Sequence, residues 1–460
     1  MTAFKDVVIL LPGITGSVLA KNGKEVWSPS VGSIWRAITS FGGSIEGLQL
    51  DASGAPGDVT APRLISDVTI VPGLIKIDGY SRIENYLIAS LGLEKGKNYF
   101  PFPYDWRLDN RINATRLRES ALTWLSTWQQ QSGASDARLV LIGHSMGGLV
   151  SRYFIECLEG WKQTRTLITL GTPHQGSLNA VDFLVNGMKK GIGPLGLDLS
   201  PLLRSFPSVY QLLPIYRCID SGKGDLSKVA DMADKGTLPN VKTQLAREAL
   251  KFHEEIKDAQ SNNAKLTGYV EKGYRLVPLV GIEQPTYQSA RIGGSGVEML
   301  RTFDGKPDAG DGTVPRASAT PIELEDKSRE IYAAEMHGSL QNADGALANI
   351  KGLLTAPAMD LSKYRAALPV PLTLDVDDVI LAAEPLRVRA RAAEGNPKIR
   401  AVLTRLEAGA LEESLVEVLG KSPTDDWRQS DFAVQPGTWR VRIEADNTLP
   451  VTDLVVVAEP

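Results

Sequence analysis

Ser145 is the residue from which chemistry can first be argued. It sits in Gly143-His144-Ser145-Met146-Gly147-Gly148, with a glycine two positions to either side. A serine hydroxyl is a weak nucleophile and acts only when a base takes its proton and an acid orients that base. Four histidines are present, His144, His174, His253 and His337. His144 is locked in the same turn as the serine, and His253 lies in a Glu- and Lys-rich helical stretch. His337, in Glu335-Met336-His337-Gly338, is the expected base, with His174 in Gly171-Thr172-Pro173-His174-Gln175-Gly176-Ser177 as its rival. The acid should fall between serine and base along the chain. Asp311, in Gly310-Asp311-Gly312-Thr313-Val314-Pro315, meets that condition, and Asp304 and Asp308 are the alternatives. Such a set would attack a carbonyl carbon, whose developing oxyanion needs preorganised N–H donors. Met146, directly after the serine, offers one; Ile14 or Thr15, in Pro12-Gly13-Ile14-Thr15-Gly16-Ser17, offers the other.

Groups like these must be held at the ends of strands. Residues 139–142 are an apolar run and residues 149–155 have helical character, so Ser145 falls on a strand-to-helix turn, the nucleophile elbow of an α/β-hydrolase. Residues 7–11 are likewise fully apolar and β-branched, as in a central strand of a parallel sheet, and residues 166–170 read as another buried strand. Helices are predicted over 80–91 and from a cap at Asp109 or Asn110 to Gly133, the latter with Leu117, Ala121, Trp124, Leu125 and Trp128 on one face. Residues 98–107, aromatic and broken by prolines, are excluded as a central strand. Residues 274–281 and 330–334 resume the sheet, and 343–354 form its last helix. Strands alternating with helices predict an α/β fold with a doubly wound, mostly parallel sheet.

Two stretches interrupt this alternation. Residues of about 20–75 are irregular and carry Trp27, Trp35 and Phe41, which suits a lid; residues of about 181–272 suit a cap, with Leu195, Leu197, Leu199, Leu202 and Leu203 in apolar pieces. Trp27, Trp35, Leu195 and Leu197 are expected to face a ligand chain or else the core. A boundary near Leu361 separates this domain, 1–361, from 362–460, where six or seven short runs with period-two alternation predict an all-β, Ig-like sandwich. Leu386, Val388 and Ala390, and Trp439, Val441 and Ile443, are its predicted inward faces. No catalytic constellation is visible beyond 361, so a chain ending there is expected to retain activity.

Composition narrows the classes. The chain has 460 residues, 43% hydrophobic and 23% charged, with a net charge of −4 and no basic run, which argues against nucleic acid as a partner. Cys157 and Cys218 are the two cysteines, far apart, so neither a disulfide framework nor a metal cluster is expected, and no cofactor either. No stretch approaches the ~18 to 20 apolar residues of a membrane span, and residues 1–6 lack the pattern of an export signal, so a cytoplasmic protein is expected.

Taken together, residues 12–17, Pro103-Tyr104-Asp105-Trp106-Arg107, 143–148, 171–177, Pro207-Ser208-Val209-Tyr210-Gln211-Leu212-Leu213-Pro214 and 310–315 resemble the lecithin:cholesterol acyltransferase and lysosomal phospholipase A2 family, over roughly residues 5–355. The resemblance implies a Ser145, Asp311, His337 triad, an oxyanion hole from the first glycine turn plus Met146, and acyl-ester substrates, usually phospholipid or neutral lipid. Transient contact at a membrane surface is a further expectation. The chain departs from secreted members in having no cysteine within 20–75, where those carry a disulfide-closed lid loop, and no export signal. The C-terminal sandwich lies outside the resemblance. The expected function is therefore a lipid esterase or O-acyltransferase working through an acyl-Ser145 intermediate. A small-ester hydrolase, an amidase or peptidase on the same fold, and an inactive binding scaffold are the competing readings; protein partners are not legible.

Overall fold

The computed structural model describes residues 4–28, 48–50, 57–66, 68–71, 75–190, 197–222, 225–294, 296–324, 330–355, 370–406 and 414–458. Trp35, Phe41 and Leu195 lie outside the described residues, as does the side chain of Leu197.

Val7–Leu11 (β1) is buried along its whole length, as a strand covered on both faces must be. It pairs in parallel with Tyr99–Pro101 (β2) on one side and Leu139–His144 (β3) on the other. Parallel pairing continues from β3 to Thr164–Leu170 (β4), then Arg275–Gly281 (β5), then Ile331–Ala333 (β6). The order β6-β5-β4-β3-β1-β2 reverses its direction of growth at β1. That reversal opens a crevice beyond the carboxyl ends of β1 and β3, where doubly wound folds bind ligands. The glycine turn follows β1 and Ser145 follows β3, so both open onto the crevice. The predicted α/β-hydrolase sheet is thus present. The aromatic segment becomes its edge strand, where prolines cost no ladder hydrogen bond.

The helices follow their sequence signals. Ser81–Leu91 (α1) buries Ile83, Leu87 and Leu91. Asn110–Ser132 (α2) is capped by Asp109, whose side chain accepts from Arg111 N, and ends at Gly133 with φ 73°. Its buried residues include Leu117, Ala121 and Leu125; Trp124 stacks on Phe100 of β2, ring centroids 4.2 Å apart. Met146–Cys157 (α3) starts directly after the serine. Thr243–Asn263 (α4) packs on α3 through Tyr153 and Phe252, and Asp344–Thr355 (α5) closes the α/β part.

The segment expected to form a cap holds elements that its sequence does not announce. Within it, Arg217–Asp220 and Leu226–Lys228 join a hairpin, Ser289–Gly293 with Gly296–Leu300, in a four-stranded sheet. These strands are short, mixed in polarity, and paired across some 70 residues of sequence, as in Ile219 with Ala290, so no local alternation announces them. Of the two roles expected for Trp27, the structure gives it the core one and not a place facing a ligand chain. It ends a strand, Lys24–Trp27, and packs edge-on against Trp106 at 5.2 Å, while its indole N–H donates to Thr15 O at 3.1 Å. A ring with an internal partner for its one polar atom behaves as core.

Beyond residue 370 the described residues form nine strands in sheets of four and five. Leu386, Val388 and Ala390 share a core with Trp439, Val441 and Ile443, as the alternation predicts. The excess over six or seven strands has two causes. Val379–Leu381 and Gly420–Lys421 are too short to show a period. Val451–Ala458 is buried on both faces, because Leu454 and Val456 pack outward against Val68 of the α/β part. The sandwich is therefore docked, with Gln284 Nε2 donating to Leu372 O and Leu374 N donating to Gln284 Oε1.

Candidate active site

Ser145 takes a φ of 51°, in the left-handed region that costs a side-chain-bearing residue about 1–3 kcal/mol. The surroundings over-determine it. Ser145 N donates to Leu170 O at 2.8 Å, and Gly148 N donates to Ser145 O at 3.0 Å. Gly147 has no room for a side chain, since a Cβ there would lie 2.5 Å from Pro12 O. The strand, the glycine turn and α3 thus interlock, and the hydroxyl is left facing the crevice.

His337 lies opposite. Its Nε2 accepts from Ser145 Oγ at 2.9 Å, and its Nδ1 donates to Asp311 Oδ2 at 2.7 Å. The backbone closes the same ring, with His337 N donating to Asp311 O at 2.7 Å. Asp311 is buried, and its second oxygen accepts from Thr313 N at 3.0 Å and Val314 N at 2.7 Å. Two backbone donors fix the carboxylate plane before it meets the imidazole. Asp304 and Asp308 are exposed. The rival His174 is buried with Nε2 3.3 Å from Thr169 Oγ1, and burial holds its pKa well below the ordinary value. His253 pairs with Gln211 O at 2.8 Å, and burial lowers its pKa to about 4. Of the four histidines, His337 is the one whose ring bonds Ser145.

Beside the candidate oxyanion donors stands a tyrosine that sequence reasoning missed. Gly13 N donates to Tyr80 Oη at 2.8 Å, so this N–H is used internally, while Ile14 and Thr15 line the pocket with Ser145. Met146 is the first residue of α3, where N–H groups lack helical partners. Tyr80 Oη, accepting from Gly13, donates to His144 Nδ1 at 2.8 Å; His144 Nε2–H then donates to His337 O at 3.0 Å. Burial, with His337 nearby, lowers the His144 pKa to about 3, so this ring relays hydrogen bonds as a neutral group. One continuous network ties the glycine turn to the backbone of the histidine loop. Tyr80 carried no signal beyond standing at a helix start.

Tyr80→Phe should leave Gly13 N–H and His144 Nδ1 without partners, costing about 1–3 kcal/mol of stability for each buried group. Turnover of a short ester should fall about tenfold through the loosened histidine loop, since small misplacements in a site are costly. A drop in Tm with unchanged kcat would reduce Tyr80 to a packing role.

Around the serine lies a pocket of about 220 Å³, walled by Ile14, Phe183, Leu203, Val209, Leu212 and Met336. Lys76, Asp378 and Asp453 also line it, so residues beyond 361 contribute to the wall. The sequence shows no catalytic constellation beyond 361, yet the sandwich adds Asp378 and Asp453 to the pocket wall. A chain ending at 361 would lack part of the pocket.

Sheet order, elbow and the serine, aspartate and histidine brought together after β3, β5 and β6 respectively define the α/β-hydrolase fold. Within that class, residues 75–277 match the family described as Lecithin:cholesterol acyltransferase, and the resemblance read from the motifs holds over that segment. The chain is 27% identical over 252 residues to lecithin-cholesterol acyltransferase-like 4 of Arabidopsis thaliana, covering 49% of this chain and 45% of the relative. It is 26% identical over 241 residues to phospholipase A(1) LCAT3 of the same plant, covering 46% and 52%. The chain thus spans about half the length of these curated relatives. The solved structure of Bacillus licheniformis lipase BlEst2 in mature form is similar at a TM-score of 0.32 and 16% identity, over 77% of this chain and 93% of that one. Among the described residues no helix is long and apolar enough to cross a membrane, and no cluster of ligating side chains could hold a metal ion.

Proposed function

We propose that the protein is a serine-dependent acyl-ester hydrolase or O-acyltransferase acting on lipid through an acyl-Ser145 intermediate. The observation that carries this reading is the uninterrupted chain Ser145 Oγ, His337 Nε2, His337 Nδ1, Asp311 Oδ2, at 2.9 and 2.7 Å, opening into an apolar pocket. As Ser145 Oγ attacks an ester carbonyl, its proton passes to His337 Nε2, and the imidazolium is held by the Asp311 carboxylate. The N–H of Met146 and one from Ile14 or Thr15 receive the oxyanion. His337 returns the proton to the leaving alcohol, and water or a second alcohol then releases the acyl group by the same steps reversed. Hydrolase and transferase differ only in how well water is excluded at that stage.

The lipid part of the reading rests on the apolar walls and on the family match. One observation favours a smaller substrate: about 220 Å³ lies below the ~300–1,000 Å³ of most ligand sites. A p-nitrophenyl ester series from acetate to palmitate, with phospholipid vesicles alongside, separates the two. Each buried CH₂ contributes about 0.8 kcal/mol, so KM should fall about fourfold per CH₂ until the pocket fills. Activity that peaks at acetate, vanishes by octanoate and leaves vesicles untouched would exclude the lipid substrate. Amine release from amides in place of fatty acid from esters would favour the amidase reading.

A further inference from the structure

The strand Ile75–Ile77 lies between the histidine loop and the C-terminal sandwich, and it touches both. On the loop side, Asp78 N donates to Gly338 O at 2.9 Å, one residue after His337. The contact with Gly338 is direct, since a Cβ at that position would lie 1.6 Å from Lys76 O. Only glycine lets the strand and the loop approach so closely. Ile77 and Gly338 line the same pocket as Ser145, so a shift of this strand moves the wall and the histidine together.

On the sandwich side, the strand is held by one ammonium and two carboxylates. Lys76 Nζ lies 2.7 Å from Asp378 Oδ1 and 2.8 Å from Asp453 Oδ2. The Lys76 side chain is 16% exposed and that of Asp453 3%, whereas that of Asp378 is 43% exposed. Two further tethers run parallel: Asp78 pairs with Arg440, and Glu335 Oε1, two residues before His337, accepts from Thr452 N at 2.7 Å. Asp453 and Thr452 belong to the strand Val451–Ala458, whose outward face is already covered by Val68. A surface-appended module would not need a buried ion pair and two hydrogen-bonded tethers converging on the loop that carries the base.

We propose that Lys76 is a positioning residue for the acyl-transfer site, and that Asp378 and Asp453 make the C-terminal sandwich a structural part of that site by clamping the strand that sets His337 and the pocket wall. The inference rests on the serine-esterase reading above. It requires that loss of the clamp be felt at the serine: in kcat and in the rate at which Ser145 reacts with a fluorophosphonate, and not only in stability.

The test uses the full chain and a soluble short ester, p-nitrophenyl butyrate, at a temperature below the unfolding transition of every variant. In Lys76→Met, kcat/KM should fall about a hundredfold, the loss expected of displacements near 1 Å at a catalytic centre. Most of it should appear in kcat, with fluorophosphonate labelling slowed in step. Lys76→Arg, which keeps the charge between the two carboxylates, should recover most of the loss. Asp378→Asn alters a half-exposed partner and is the variant expected to perturb folding least; it should show a smaller loss in the same direction. Wild-type kcat, KM and labelling rate in folded Lys76→Met, or in Asp378→Asn should Lys76→Met not fold, overturn the proposal while leaving the esterase reading intact. A wild-type chain that neither labels at Ser145 nor cleaves the ester overturns the esterase reading itself, and this inference with it.

Discussion

Ser145→Ala is expected to abolish fluorophosphonate labelling and to lower ester turnover by about 10⁶, leaving the ~10³–10⁴ over water that binding and oxyanion donors supply alone. The size follows from the geometry. Ser145 Oγ is the atom at the end of the His337 and Asp311 chain, so removing it leaves the base nothing to activate. Stability should change little, because alanine must adopt the same φ of 51° while the turn is held by backbone bonds to Leu170 and from Gly148. Because the three side chains act as a unit, His337→Ala or Asp311→Asn added to Ser145→Ala should cost almost nothing further. Retained turnover in folded Ser145→Ala would remove the serine from the mechanism. Near-normal turnover in His337→Ala, with His174→Ala as damaging as Ser145→Ala, would move the base to the other histidine.

The second large effect is on stability against pH, and it centres on Glu335. Burial is the main reason its carboxyl is pushed from 4.5 up to about 8, with Asp453 and Asp78 adding to the shift while Thr452 N and Met336 N oppose it. The folded chain therefore holds this proton more tightly than the unfolded chain does. By linkage, the resulting stabilisation is complete below pH 4.5 and is lost as pH rises through about 8. The shift corresponds to a few kcal/mol, at about 1.4 kcal/mol per pKa unit. Glu335→Gln cannot ionise yet keeps an oxygen for Thr452 N. The variant should match the wild type near pH 5 and exceed its stability at pH 9 by an amount on the order of a few kcal/mol. Urea unfolding at pH 5, 7 and 9 measures this difference. Parallel pH dependences for the two proteins would show that Glu335 is not the group responsible.

Much of the fold was legible because its signals are local. A strand buried on both faces is built mainly from apolar and β-branched residues, as Val7–Leu11, positions 139–142 of Leu139–His144 and positions 166–170 of Thr164–Leu170 are. Helix α2 carries its own start in Asp109 and its own stop in Gly133. The sandwich strands Leu386–Ala392 and Gly437–Glu444 show their inward faces by alternation. The sheet across Arg217–Asp220 and Ser289–Gly293 carries no such signal, because its pairing is between distant segments and its strands are half-exposed.

The candidate site divides in the same way. Residue type and chain order singled out Ser145, Asp311 and His337, since attack on a carbonyl needs a nucleophile, a base and an orienting acid, and a chain with four histidines offers few bases. Those are constraints of chemistry, and sequence alone states them. What surrounds the three side chains is set by proximity that no spacing encodes. Tyr80 joins the glycine turn to His144, and Trp27 turns inward to Trp106. Lys76 meets Asp453 across 377 positions of sequence. A charge or hydroxyl shows in sequence as a residue type, but whether it is buried, and which partner makes that burial tolerable, depends on which surfaces fold against each other. The sandwich looked detachable because its own core is self-sufficient; only the docking of Val451–Ala458 against the α/β part brings Asp453 and Asp378 to the pocket wall.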